Sequence, residues 1–375
     1  MKACSYCGKP NADEQVFCTG CGTQFVTEET PEEAPSQSRS TPKLSESSPS
    51  PIQDAEPLDV SAIDMGFSMV EGFSRPNWSG IRKCIEELFP EANQPQAWLQ
   101  IARQWLTQLC EDLGGNYFCY ESDRFLLLSA ETDEHSQAIL QIAEQALTGL
   151  RERLGNVAWQ WRHGKAVILV FNEEDDYYSY ISFFGEDGPN ILSGGAFIKK
   201  DYAHLALPFK SVSVTKLVIV HELTHNCLRH LPIPTWLNEG VCRRMERENV
   251  PRRGSVVLDR ELAGEHHAWW NETNIQDFWA GRSYYNPGEA SKLSYSLGEI
   301  LVEVLSEDWG SFLDFLAHAD YRDAGQDAAL KFLGRSLGDA VAGFLGPGEW
   351  RPNRKAIAER MVAQKDKSAS EASQM

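Results

Sequence analysis

Apolar residues are distributed along the 375-residue chain in three ways: continuous short runs, helical spacings, and one long stretch where they are scarce. "RFLLLSAE" (124–131) and "KAVILVF" (165–171) are continuous aliphatic runs of strand length, separated by a helical pattern over 134–154. "GGAFIKKDYAHLALPF" (194–209) reads as strand, connection, strand. Residues 78–113 place Trp78, Ile81, Ile85 and Leu88, then Trp98, Ile101, Trp105 and Leu109, at helical spacings. "VIVHELTHNCLRH" (218–230) is a helix that Pro232 and Pro234 should end, and "TWLNEGVCRRMER" (235–247) reads as the next. Further helices follow at 290–305, 310–319, 327–334 and 336–345. The class this predicts is α+β: a mixed sheet with helices, then a helical subdomain, with a cleft between them.

Residues 22–75 carry ten acidic against three basic residues and few large apolar side chains before Ile63. Such a composition buries too little surface to fold alone and predicts a disordered acidic Ser/Pro-rich linker over 26–75. The less polar piece at 61–73 could dock as a short helix. The expected organisation is a small module at 1–25, the linker, accessory helices at 76–116 packed on the main domain, that domain at 117–345, and a C-terminal extension and tail at 346–375.

Chemistry enters with His221, Glu222 and His225. Histidines four apart nearly eclipse on a helix, so both rings can face one point. Zinc accepts imidazole nitrogens at about 2.0–2.1 Å, and Glu222 would then stand beside the ion, placed to take a proton from an attacking water. The alternative is a buried helix with hydrogen-bonded histidines. A third ligand separates the zinc classes. The metzincin pattern needs Gly and His where this chain has Leu228 and Leu231, so it fails. His230 faces away from the pair. Glu239, near the start of the helix after the prolines, can be brought to the open side of the histidines by a chain reversal, leaving a fourth position for water.

HELTH followed by Glu239 within WLNEG resembles the gluzincin zinc metallopeptidases, with a short spacer like that of the small peptidase MA-like domains. The resemblance covers about 117–345, and its specific motifs lie within 194–240. It implies a zincin-like fold, a catalytic zinc on His221, His225 and Glu239, and Glu222 as general base. It also implies a tyrosine supporting the oxyanion, for which Tyr295 has the best surroundings, although that ring could equally just pack its helix. Gluzincin aminopeptidases carry G-x-M-E-N on the strand before the zinc helix; here "GGAFIKK" runs through Phe197 and Ile198 instead. No carboxylate there anchors a substrate's amine, so endopeptidase action is expected. The competing class is a catalytically silent zincin-fold protein that serves as a zinc-ribbon adaptor. His266 and His267 could line the cleft or simply pack, and Cys227 and Cys242, near the metal helices, read as small buried residues, although either could be an adventitious ligand.

"CSYCGKPNADEQVFCTGCG" (4–22) supplies a second ligand set. Cys4, Cys7, Cys18 and Cys21 form two C-x-x-C pairs, each followed by glycine, in a segment too small for its own core. Four thiolates satisfy zinc completely, so the expected site is structural, and the segment resembles a short zinc ribbon. Two disulfides are the alternative, disfavoured by the absence of an apolar signal segment in MKACSYC. The cofactors expected are therefore two zinc ions, one catalytic and one structural. The partners expected are a peptide or protein substrate and a protein recruited by the ribbon. A net charge of −19 opposes general nucleic-acid binding. No run approaches the length of a membrane span, and the five remaining cysteines suit a cytoplasmic location.

Overall fold

A computed structural model describes residues 2–3, 10–11, 58–159, 164–184, 194–199, 202–249, 260–286 and 288–360. The chain divides into two units, Met1–Asp54 and Ala55–Met375. In the first, β1 (Lys2–Ala3) pairs antiparallel with β2 (Pro10–Asn11), Lys2 opposite Asn11. Cys4, Cys7, Cys18 and Cys21, expected to form a ribbon, lie outside the described residues.

The second unit opens with a hairpin, β3 (Ser68–Val70) and β4 (Phe73–Arg75). Its turn residues Glu71 and Gly72 both have positive φ, 50° and 81°, the backbone a tight two-residue reversal requires and glycine supplies without strain. Helices α1 (Trp78–Leu88) and α2 (Gln94–Asp112) follow. Then come β5 (Phe118–Glu121), β6 (Phe125–Ser129), α3 (Asp133–Leu154), β7 (Ala166–Phe171), α4 (Glu174–Ser182), β8 (Ala196–Ile198) and β9 (His204–Pro208). The rest is helical: α5 (Val212–Leu228), α6 (Thr235–Glu248), α7 (Arg260–Trp269), α8 (Ile275–Trp279), α9 (Glu289–Leu305) and α10 (Trp309–His318). It closes with α11 (Gln326–Ala328), which runs into a π-helical turn, and α12 (Leu337–Leu345). Among the described residues no helix is long and apolar enough to cross a membrane.

The five-stranded sheet has the order β5-β6-β7-β9-β8. β6, β7 and β9 are parallel, and β5 and β8 run antiparallel at the two edges. The class is α+β. Burial on both faces explains why β7 is apolar at every position. Phe125, Leu127, Ile168, Val170, Leu205 and Leu207 point to one face, where α3 and α5 pack. Leu126, Leu128, Val167, Leu169, Phe171 and Ala206 point to the other, where α1, α2 and α4 lie.

Three expected boundaries move. The linker expected to reach residue 75 ends earlier: Val60, Ile63, Met65 and Phe73 are all buried in the α1/α2 side of the core. The segment at 61–73 contributes a strand of a hairpin and not a helix. Asp112 at the end of α2 fastens that hairpin, accepting from Ser74 N at 2.6 Å and Ser74 Oγ at 3.0 Å. The helices at 76–116 pack on one face of the sheet, which they share with α4. At the other end the fold continues past 345. Trp350 and Ile357 belong to the core, and Trp279 Nε1 donates to Trp350 O at 2.9 Å.

Candidate metal centre

α5 is buried on nearly all sides, with Val218, Ile219, Val220, Leu223, Cys227 and Leu228 in the core. A helix enclosed in this way has no freedom to rotate, so the direction of each polar side chain is fixed by its place in the sequence. The Ser211 hydroxyl caps its start, accepting from Val214 N. After Leu228 the chain reverses, and Tyr321 N holds the Pro232 carbonyl at 2.8 Å. α6 then begins directly after Pro234, anchored by Trp236, which is fully buried among Phe278, Trp279 and Phe315. Gly240 sets how close α6 comes to α9: a Cβ there would lie 2.6 Å from the Gly298 carbonyl oxygen.

This packing brings His221, His225 and Glu239 together. The His221 and His225 Nε2 atoms are 3.1 Å apart. The Glu239 carboxylate presents Oε2 at 3.3 Å from His221 Nε2 and Oε1 at 3.6 Å from His225 Nε2. Ligands held about 2.0–2.1 Å from a common tetrahedral centre stand about 3.3–3.4 Å from one another. The separations of 3.1–3.6 Å between the three groups are thus compatible with ligands around one tetrahedral centre.

Two side chains behind the rings fix which nitrogens face the centre. The Glu246 carboxylate bonds His221 Nδ1, and Asn238 Oδ1 lies 3.1 Å from His225 Nδ1. Both partners are acceptors, so both Nδ1 atoms carry the hydrogen and, in neutral rings, both Nε2 lone pairs point at each other. Glu239 Oε2 is buried and receives no well-aligned hydrogen bond. Two facing lone pairs and a carboxylate oxygen repel unless a cation or a proton sits among them, so these residues fit a divalent ion.

The local field agrees. Burial opposes charge on His221, but the Glu239 and Glu246 carboxylates outweigh it and hold that imidazole well above its usual pKa. Burial also works to raise Glu239, yet His225, His221 and Arg243 win and keep its carboxyl low. Glu246 is likewise held low against burial, by Arg243 and His221; Arg243 Nη1 is 2.8 Å from its Oε2. Glu246 and Asn238 escaped sequence reasoning. The first gave no signal beyond lying two turns past Glu239 on the same helix face, while the second stood in view beside Glu239 in WLNEG.

A different trio, His221, His225 and Cys242, also gathers within 4.8 Å. Cys242 Sγ, however, lies 3.4 Å from His225 Nδ1, behind the ring and away from the two facing Nε2 atoms. Burial and the nearby Glu239, Glu222 and Glu246 push its thiol well up. The histidine and glutamate set has the better geometry and charge.

Glu222 is buried beside the triad, its carboxyl raised chiefly by burial, with the charges of His221 and His225 and the Phe197 backbone on β8 working the other way. Gly195 makes room for that approach, since a Cβ there would meet Val218 Cγ1 at 2.3 Å and Glu222 Oε1 at 3.5 Å. β8 is thus an edge strand touching the carboxylate next to the ligands. Tyr295 is half-buried on α9, with its ring edge-on to Tyr284 at 5.0 Å. Tyr284 is the tyrosine whose ionisation Glu239 opposes, and its hydroxyl donates to the Ser294 carbonyl. His230 stacks on Trp159, away from the triad, as its position half a turn round predicts. His266 is core, bonded to Ser296 Oγ and Trp270 Nε1. Neither a known family model nor a curated protein matches the chain.

Proposed function

We propose that the chain is a zinc-dependent peptidase of the gluzincin type that cuts internal peptide bonds. The observation that carries this reading is the convergence of His221 Nε2, His225 Nε2 and the Glu239 carboxylate at 3.1–3.6 Å, with Glu222 alongside. Zinc, when bound by these three side chains, supplies Lewis acidity to the scissile carbonyl and to the attacking water. Glu222 takes the proton from that water and hands it to the leaving amine, and its raised pKa suits a group that must do both. Asn238 and Glu246 hold the two imidazoles in the ligating tautomer. Among the described residues β8 ends the sheet, so its outer edge is offered to pair with an extended substrate, and the Tyr295 hydroxyl is assigned to the oxyanion. The four cysteines Cys4, Cys7, Cys18 and Cys21 would hold a second, structural zinc in a ribbon that recruits a partner or substrate.

The test combines metal counting with cleavage of N-acetylated peptides. Wild type should carry two zinc ions per chain, and His221→Ala, or Cys4→Ser with Cys7→Ser, should each remove one. Glu222→Gln should keep both ions and lose about 10²–10⁴-fold in turnover, the usual contribution of a general base. Undiminished cleavage by Glu222→Gln refutes the mechanism, and strict dependence on a free amino terminus refutes endopeptidase action.

A further inference from the structure

Cys110 and Cys119 have no part in the proposed site, yet they are placed as a pair. Their sulfurs are 3.7 Å apart. A disulfide needs about 2.05 Å, so side-chain rotation has a gap of about 1.7 Å to close. The approach is built by the chain between them. α2 ends at Asp112, and Gly114 and Gly115, both at φ +86°, then turn the backbone so that β5 returns beside the last turn of α2. Arg103 and Glu121, 2.7 Å apart, brace the same two elements. Cys119 is exposed on the sheet edge and Cys110 half-buried, whereas Cys227 and Cys242 are buried within the core. A reagent in solvent therefore reaches this pair before the two cysteines near the metal ligands.

We propose that Cys110 and Cys119 form a reactive dithiol that closes to an intramolecular disulfide on reaction with a hydroperoxide. The Cys110 thiolate attacks the peroxide O–O bond, giving a sulfenic acid on Cys110 and releasing the alcohol, or water when the oxidant is hydrogen peroxide. The Cys119 sulfur then attacks the Cys110 sulfur, the S–O bond breaks, and the hydroxyl leaves as water with the Cys119 proton. Both thiols are oxidised by two electrons in total, and one peroxide is reduced. The sulfur–sulfur contact with Cys119 lowers the Cys110 pKa against burial and Glu111, while the same contact, with burial, raises Cys119. With the two sulfurs 3.7 Å apart, the direction of those shifts favours Cys110 as the attacking sulfur and Cys119 as the resolving one. The bridge would tie α2 to the β5 edge, adding a covalent link to the Arg103–Glu121 brace.

The sequence makes the test direct. Residues 104–124 form one tryptic peptide that contains both cysteines and ends at Arg124, and Glu111 lies between them. The full-length, zinc-loaded protein is treated with one equivalent of hydrogen peroxide, quenched with N-ethylmaleimide and digested. The 104–124 peptide should appear lighter by two hydrogens and unalkylated, and its two halves should stay joined after cleavage at Glu111. Bridging should outpace oxidation of Cys84 by about tenfold or more. In Cys119→Ser, an exposed change, Cys110 should accumulate as a sulfenic acid trapped by a 1,3-diketone. Cys110→Ser should remove the bridge and that adduct together. Independent oxidation of the two sulfurs, a bridge to Cys84 or to a second molecule, or an inert Cys110 in Cys119→Ser would overturn the proposal.

Discussion

Glu246 stands directly behind His221 and belongs to a line of alternating charges. Arg243 bonds it, and Arg247 joins Glu299 at 3.0 Å and Glu303 at 2.6 Å across the α6/α9 seam. A carboxylate that fixes a ligand's tautomer is worth about 10–100-fold in metal affinity. Glu246→Gln should lower zinc affinity by that factor while leaving far-UV dichroism unchanged, measured by competition with a chromophoric chelator. Another buried side chain sets an acid limit on the whole fold. His204 donates from Nδ1 to the Tyr202 carbonyl, 2.6 Å away, and accepts at Nε2 from the Tyr180 hydroxyl at 2.8 Å. Burial, with Arg75 nearby, pushes its pKa down to about 3. A histidine depressed in the folded state binds its proton more readily when unfolded. Its contribution is therefore complete above about pH 6.5 and is lost as pH falls towards 3. Urea unfolding at pH 4.5 should show about 3 kcal/mol less stability from this residue than at pH 7. His204→Gln should flatten that limb.

Between elements, the decisive contact is α6 against α9 at Gly240 and Gly298. A methyl at 240 would collide with the Gly298 carbonyl at 2.6 Å and with Val302 Cγ2 at 2.7 Å. Gly240→Ala should cost about 1–3 kcal/mol in denaturant unfolding and displace Glu239, so zinc affinity should fall as well. The helices and strands around the candidate site were readable because their periodicities are strong. β6, β7, α3, α5, α6 and α9 fall where apolar runs and helical spacings put them. β5 was not readable, since three of its four residues are exposed and it has no buried face to write an alternation. The positions of His221 and His225 followed from spacing alone. Their backing by Asn238 and Glu246 depended on how α6 docks, which no local pattern encodes.

For the molecule as a whole, composition misled where folding is borrowed from a distant surface. Residues 58–75 look too polar to fold, and alone they are; Ile63, Met65 and Phe73 find their core on α1, α2 and the far face of the sheet. A chain beginning at 58 should therefore fold and bind zinc at the triad. One beginning at 76 loses Val60, Ile63, Met65 and Phe73 from the core. At about 1.5–3 kcal/mol per buried side chain, that approaches the whole of a typical domain's stability of about 5–15 kcal/mol. One beginning at 117 also loses α1 and α2, bares the part of the sheet face they cover and should aggregate. Solubility and thermal unfolding of the three chains check the order.

The triad is divided between a pair of rings one turn apart on α5 and a carboxylate whose place depends on α6 lying against α9. If the proposed site holds a metal, its affinity would gauge docking some sixty residues downstream in sequence, between Glu239 and Gly298. Thermodynamic reciprocity makes the gauge work in both directions. Any change that loosens the C-terminal helices weakens metal capture, and stripping the metal should loosen those helices in turn. Hydrogen exchange in α6 and α9 should accelerate in a chelator, while β6 and β7 should keep their protection.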